Sequence, residues 1–349
     1  MKKRNVCKKF FAIAAAAALS LSLCACGTGN PQNSQTADEN SRQPTEDKTY
    51  TVAIIKQMDH ASLDEIANAV ATELDQIAAD NGVTIKYTIT SGQNNDQTIL
   101  KQLGDQAVAD KVDAIIPIAT TAAQIAALCA EDTKTPVVFA AVSYPDDPSV
   151  NLTGIDYVTG TSDALNASFI IDMMLAQNPD IKMVGLLYSL SEPNSAPPIA
   201  DAKAYLESKN IPYVEQTANT NDEVIAAAAA LAAEGVDAIF TPTDNVIQSA
   251  ELAIYESLID AGIPHYTGAD SFVRNGAFTA CGVNYTELGK RTASLAYDVI
   301  TQGMDGVEDY YLMEGGIITV NTETAAALDI DYSVFKDMGT VVEVVTTED

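Results

Sequence analysis

The chain has 349 residues, and 19 Lys and Arg stand against 48 Asp and Glu, a formal net charge of −29. Contacts with phosphate backbones and anionic surfaces depend on Lys and Arg displacing counterions, so this balance excludes a nucleic-acid role. Hydrophobic residues make up 47% of the chain, enough to bury a large core, which excludes disorder for the bulk and leaves room for one or two domains.

Residues 1–25 read as a secretory signal. A basic stretch from Lys2 to Lys9 precedes an apolar run from Phe10 to Leu23, short for a stable span. An uncleaved membrane anchor is the alternative. Leu23, Ala25, Cys26 and Gly27 resemble a bacterial lipobox, which implies cleavage before Cys26 and a lipid thioether on its sulfur. Residues 26–48 carry no large apolar side chain after Cys26 and are expected to form a flexible tether. Cys129 and Cys281 sit in apolar runs and read either as two buried free thiols or as a pair. There is no Cys-x-x-Cys and no Cys/His ligand spacing, so neither a metal nor another cofactor is expected.

From Thr49 onward short apolar runs alternate with longer amphipathic ones. Strand 51–56 is followed by a helix over 61–81, with apolar spacing through Leu63, Ile66, Val70, Leu74 and Ile77. Strand 83–90, helix 95–110, strand 112–118, helix 121–131 and strand 136–142 complete the series. This alternation predicts a parallel sheet covered on both faces.

The order then starts again, with strands at 183–188, 211–216, 236–241 and 264–268 and helices at 194–210, 222–234 and 246–261. Val112-Asp113-Ala114-Ile115 recurs as Val236-Asp237-Ala238-Ile239, and a Pro opens the next strand at both Pro136 and Pro264. Repetition at this period predicts two homologous, doubly wound α/β lobes. The remaining elements, a strand at 278–283, a helix at 285–302, an extended run at 310–320 and a short helix at 323–328, are too few for a third lobe. They are assigned to the two lobes: residues 49–152 with 283–313 form the first, and 153–282 with 314–349 the second. The chain then crosses three times, near 151–155, 280–284 and 312–316, which makes a hinge.

Ligands of parallel sheets bind beyond the carboxyl ends of the strands, so the strand-end loops of both lobes should line one cleft. Those loops supply Met58, His60, Gln93, Thr120, Thr121 and Tyr144 from the first lobe. The second supplies Glu192, Asn194, Ser195, Asp244, Asn245 and Asp270. Thr120 and Thr121 open a helix without negative charge, either as an ordinary cap or as a seat for a carboxylate. Asp244 and Asp270 read either as caps or as partners of an ammonium group. Tyr144, Tyr157 and Tyr188 read as ligand-stacking rings or as packing. No Gly-x-Ser-x-Gly elbow, P-loop or His-Glu-x-x-His is present and no nucleophile–base pair can be assembled, so an enzyme is not expected.

Gly92-Gln93-Asn94, Ile118 through Gln124, Asn151-Leu152-Thr153-Gly154, Ser191 through Ser195, Pro242-Thr243-Asp244-Asn245 and Glu287-Leu288-Gly289 together resemble the tryptophan/tyrosine-type substrate-binding lipoproteins of ABC transporters. The resemblance implies a type I periplasmic-binding-protein fold. It also implies an extracytoplasmic protein, anchored to the cell membrane by lipid on Cys26, that delivers a small solute to a permease with its ATPase subunit. By resemblance the ligand is an aromatic amino acid. Thr120 and Thr121 would then hold its carboxylate, Glu192, Asn194 and Ser195 would close over it, and Asp244 and Asp270 would hold its amine. His60 and Pro197-Pro198 depart from the family pattern. A nucleoside- or sugar-binding lipoprotein and a ligand-sensing receptor ectodomain remain the alternatives, because a fold does not fix its ligand.

Overall fold

In the computed structural model residues 48–347 are described. The signal segment, Cys26 and the tether to residue 47 lie outside them. In chain order the first part contains β1 (Thr49–Lys56), α1 (Ala61–Asn81), β2 (Thr84–Ser91), α2 (Gln97–Ala109), β3 (Ala114–Ile118), α3 (Thr120–Ala130), β4 (Val137–Phe139) and β5 (Val158–Ser162). Then come α4 (Ala167–Gln177), β6 (Val184–Tyr188), α5 (Ala196–Ser208), β7 (Tyr213–Thr217), α6 (Asn221–Glu234), β8 (Ala238–Thr241), α7 (Asn245–Asp260), β9 (His265–Thr267), α8 (Asp270–Arg274) and β10 (Thr279–Gly282). The chain ends with α9 (Tyr285–Gln302), β11 (Tyr311–Leu312), β12 (Ile317–Asn321), α10 (Thr322–Ala327) and β13 (Thr340–Val344).

Two sheets result. The first runs β11-β5-β4-β3-β1-β2 with every pairing parallel. The second runs β13-β12-β10-β9-β8-β6-β7, parallel except between β10 and β12. Strand residues alternate faces, and β1 shows what that means for packing. Val52 and Ile54 pack with Leu63, Ile66 and Val70 of α1 and Leu288 and Leu295 of α9. Ala53 and Ile55 pack on the other face with Leu100 of α2 and Ala122 and Ala126 of α3. A strand buried on both faces has no solvated side, which is why 51–56 is a nearly unbroken apolar run.

The internal repeat has a structural reason. Asp113 Oδ2 accepts the Thr51 N–H at 2.7 Å, and the Asp113 N–H donates to Thr51 O at 2.8 Å. In the second sheet Asp237 Oδ2 accepts the Lys182 and Met183 N–H groups at 2.7 and 3.0 Å, and its N–H donates to Met183 O at 2.9 Å. Each Asp closes the end of its lobe's first strand with a carboxylate. The repeated prolines match too: Pro136 O accepts from Ile115 N and Pro264 O from Ile239 N, at 2.8 and 3.0 Å. A strand's first position tolerates Pro because no ladder N–H is needed there.

The first crossing differs from the expected one. β5 joins the first sheet beside β4, so the chain leaves that sheet at 163–166, after the expected 151–155. Residues 153–162 accordingly belong with the first sheet. β5 reads Val-Thr-Gly-Thr-Ser, too polar to signal a buried strand, yet all five residues are buried. Its hydroxyls are satisfied internally: Thr159 donates to Glu308 O, Ser162 donates to Ser143 O, and Thr161 bonds Thr292. The other passages fall at 283–284, between β10 and α9, and at 313–316, between β11 and β12. The elements α4, α8 and β13 are additions to those the sequence pattern predicts. Pro197 and Pro198 do not interrupt α5, because both stand in its first turn, where an N–H has no helical partner. Cys129 and Cys281 are free thiols, on α3 and β10.

Gly289 is where α9 meets α1. A Cβ there would stand 2.6 Å from Ala69 Cβ and 2.8 Å from Ile66 O. Gly289→Val should therefore lower unfolding free energy by about 1–3 kcal/mol through overpacking, read as a lower urea midpoint at unchanged slope.

Candidate functional site

The carboxyl ends of both sheets face one narrow cavity which, shut as it is here, has room for little more than a water molecule or two. The start of α1 supplies His60, Ser62, Leu63 and Ile66, and the turn into α3 supplies Ala119 and Thr120. The second lobe supplies Asn194, then Thr243, Asp244, Asn245 and Gln248 at the start of α7, then Ser271 and Phe272 of α8. Asp163 of the first crossing and Tyr285, just past the second, also line it, with Ala141, Ser143 and Ala269.

The lobes are shut over this cavity by direct hydrogen bonds. Gln57 Nε2 donates to Glu192 Oε1 at 2.7 Å and Asn95 Nδ2 to the same oxygen at 3.1 Å. Ser62 Oγ donates to Ser271 Oγ at 2.5 Å, and Ser143 Oγ lies 3.1 Å from Thr243 Oγ1. His60 Nε2 is 2.9 Å from Asn245 Oδ1. Asn245 Nδ2 donates to Glu192 Oε2 at 2.6 Å, which turns its Oδ1 toward the ring. His60 must then donate from Nε2, and its buried Nδ1 lone pair has no partner. Burial holds the His60 pKa down at about 4, so the ring is neutral.

Three buried acids stand at or behind the wall. Asp244 Oδ1 accepts from Ile247 N at 3.0 Å, and Oδ2 accepts from Ser189 N at 2.7 Å and Ser195 Oγ at 2.6 Å. The cap reading of Asp244 is thus the observed one, while the residue still faces the cavity. Asp163 accepts from Ser143 Oγ at 2.8 Å and Tyr285 Oη at 3.1 Å. Burial raises the pKa of both. Burial, and then the charge of Asp244, push Glu192 up to about 8.

Of the residues singled out in the sequence, His60, Thr120, Asn194, Asp244 and Asn245 line the cavity. Glu192 lies behind it as the interlobe bridge, and Ser195 serves Asp244. Thr120 and Thr121 are first-turn residues of α3, whose N-cap is Ala119 at φ 75° without a side-chain cap. Gln57 Oε1 takes the Thr121 N–H at 2.8 Å, so that donor is engaged within the protein. Met58 packs in the core, and Gln93 is exposed at φ 57°. Asp270 pairs with Arg274 Nε at 3.2 Å and is absent from the wall; its pKa is raised by burial first and then by Glu65. Tyr144, Tyr157 and Tyr188 pack: their hydroxyls donate to Leu165 O, Ala127 O and Glu215 Oε2. The second histidine, His265, lies outside the wall, 3.0 Å from Glu251 Oε1 and 2.8 Å from Thr241 Oγ1. Sequence reasoning missed Asp163 and Gln248. Recognising β5 would have placed Asp163 at a strand's carboxyl end, and Gln248 follows Asp244 by one helical turn. Among the described residues no group of His, Cys, Asp or Glu is placed to hold a metal ion, and no helix is long and apolar enough to cross a membrane.

Two parallel-sheet lobes with three connecting passages, shut over a small cavity, define a binding protein of the type I periplasmic fold. The chain belongs to the family of ABC transporter substrate binding proteins, whose profile matches residues 51–335. Membership makes it a solute-binding protein that works outside the cytoplasm with an ABC transporter. It is 28% identical over 308 residues to a tyrosine-binding protein of Clostridioides difficile (strain R20291), covering 87% of this chain and 88% of that one. It superposes with TM-score 0.76 on an ABC domain in complex with L-Trp from Streptococcus pneumonia, at 27% identity, covering 84% of this chain and all of that one. A conserved domain protein of Vibrio cholerae matches with TM-score 0.77 at 25% identity, covering 85% of this chain and all of that one.

Glu192 gives closure a pH dependence. A carboxyl whose pKa is higher in the shut form holds its proton more tightly there, so closure is favoured at low pH and loses that contribution as pH rises toward about 8. Where binding requires closure, affinity should fall between about pH 5 and 8, by at most tenfold per unit, and level off above. In Glu192→Gln the slope should flatten in isothermal titrations across that range. An unchanged slope would assign the proton elsewhere.

Proposed function

We propose that this chain is a lipid-anchored, extracytoplasmic binding protein that captures an aromatic amino acid between its lobes and hands it to an ABC permease driven by its ATPase subunit. The observation that carries the ligand class is the two-sided cavity wall. Asp163, Asp244 and the unpartnered Asn194 Oδ1 gather acceptors around Thr243: Asn194 Nδ2 donates to Thr243 O at 2.6 Å, and Ser143 joins Asp163 to Thr243 Oγ1. Such a cluster suits an ammonium group. Leu63, Ile66 and Phe272 supply an apolar wall for a ring, and Phe272 is held edge-on by His265 at 6.1 Å. The tyrosine-binding and L-Trp-bound relatives support the same class. The lipobox-like run ending at Cys26 supports the anchor.

Protein stripped of ligand by unfolding and refolding should gain melting temperature with tyrosine, phenylalanine or tryptophan. The gain should grow with concentration, reaching about 2.7 kcal/mol of stabilisation at a hundred times the dissociation constant. A shift produced only by nucleosides or sugars overturns the ligand. Cys26→Ser should abolish incorporation of labelled fatty acid and release the protein from the membrane fraction; retention of the label would sink the anchor.

A further inference from the structure

Gln248 is 2% exposed, lines the cavity, and has a hydrogen-bond partner for neither Nε2 nor Oε1. A buried amide with both functions unmet is costly, more so than any other side chain in this wall, and such a site is completed by what it binds. We propose that Gln248 reads a hydroxyl on the ligand's ring and so selects tyrosine over phenylalanine and tryptophan. This rests on the aromatic amino-acid reading above and adds the residue that discriminates within that class.

The position follows from α7. Asp244 caps the helix beside the acceptor cluster that suits the ammonium group, and Gln248 stands four residues on, on the same face and about one turn, ~5.4 Å, farther along. An aromatic side chain spans that step, with its ring against Leu63, Ile66 and Phe272. The far end of the ring then meets the amide. A phenol both donates and accepts, and so answers Oε1 and Nε2 together. An indole N–H answers only Oε1, and a phenyl ring answers neither. Buried polar groups left unpaired are what let a site reject the analogue that lacks a hydroxyl.

Isothermal titration of the full chain with L-tyrosine, L-phenylalanine and L-tryptophan tests this, on the wild type and on Gln248→Met, which keeps the length of the side chain. Wild type should bind tyrosine at least about tenfold more tightly than phenylalanine. Gln248→Met should lose most of that margin, with tyrosine weakened and phenylalanine bound at least as tightly as by wild type, because no amide is then left unpaired against the bare ring. Gln248→Leu replaces it if the ligand-free melting temperature shows that the Met variant does not fold. Equal loss for tyrosine and phenylalanine would place Gln248 on the groups all amino acids share and overturn the proposal, as would a wild type preferring phenylalanine or tryptophan. Binding of none of the three would sink the ligand reading itself, a result separable from loss of discrimination among ligands that do bind.

Discussion

Closure of the two lobes hangs on the carboxyl group of Glu192, which leaves the second lobe to meet Gln57 and Asn95 of the first. Two of the three amides that serve it, those of Gln57 and Asn245, are themselves aimed by another bond. Thr121 N–H fixes the Gln57 oxygen, and His60 fixes that of Asn245. The chain of contacts therefore passes from lobe one to lobe two and back, through groups that water can serve equally well when the lobes part. Exchanging water for protein partners yields little net free energy per bond, while burying the carboxyl costs. The balance between open and shut forms stays close enough for a small ligand to decide it, because a ligand shifts such a balance only by its differential affinity.

Parallel winding explains why so many acids tolerate burial here. Every strand of a parallel lobe ends where the next helix begins, so helix N-termini with free N–H groups and positive dipole ends converge on the same cavity. Asp244 accepts from the first turn of α7, and the loop that leaves β6 supplies Ser189 N. In a chain of net charge −29, Asp244 is held chiefly by backbone N–H groups, while Asp163 is held by two hydroxyls and Glu192 by three side-chain amides.

The lobes were legible because their signals are apolar and periodic: 51–56, 112–118 and the repeated Val-Asp-Ala-Ile are core and core-edge residues, and the core sets the fold. β5 was not legible because its burial is satisfied by hydroxyl bonds, which leave no apolar trace. That omission displaced the first crossing and hid Asp163. His60, Asn194, Asp244 and Asn245 were legible because strand-end loops are short and their place is fixed by the fold. Glu192 and Thr121 were found in the right loops, but whether a loop residue faces a ligand or the opposite lobe depends on packing across the cleft. Gln248 lies inside a helix, where one exposed-looking polar residue reads as surface.

Asp163 ties the cavity to the hinge. It stands on the first crossing, and its Oδ2 accepts from Tyr285, the first residue of α9 after the second. Its other oxygen reaches Ser143, whose hydroxyl touches Thr243 across the cleft. One carboxylate thus joins two of the three passages, both lobes and the cavity wall. Parting the lobes about those passages strips Ser143 from Thr243 and opens the wall that Asp163 and Tyr285 share. Hinge angle and cavity shape are therefore one coordinate, and a cation drawn to Asp163 is held by the segment whose bending encloses it.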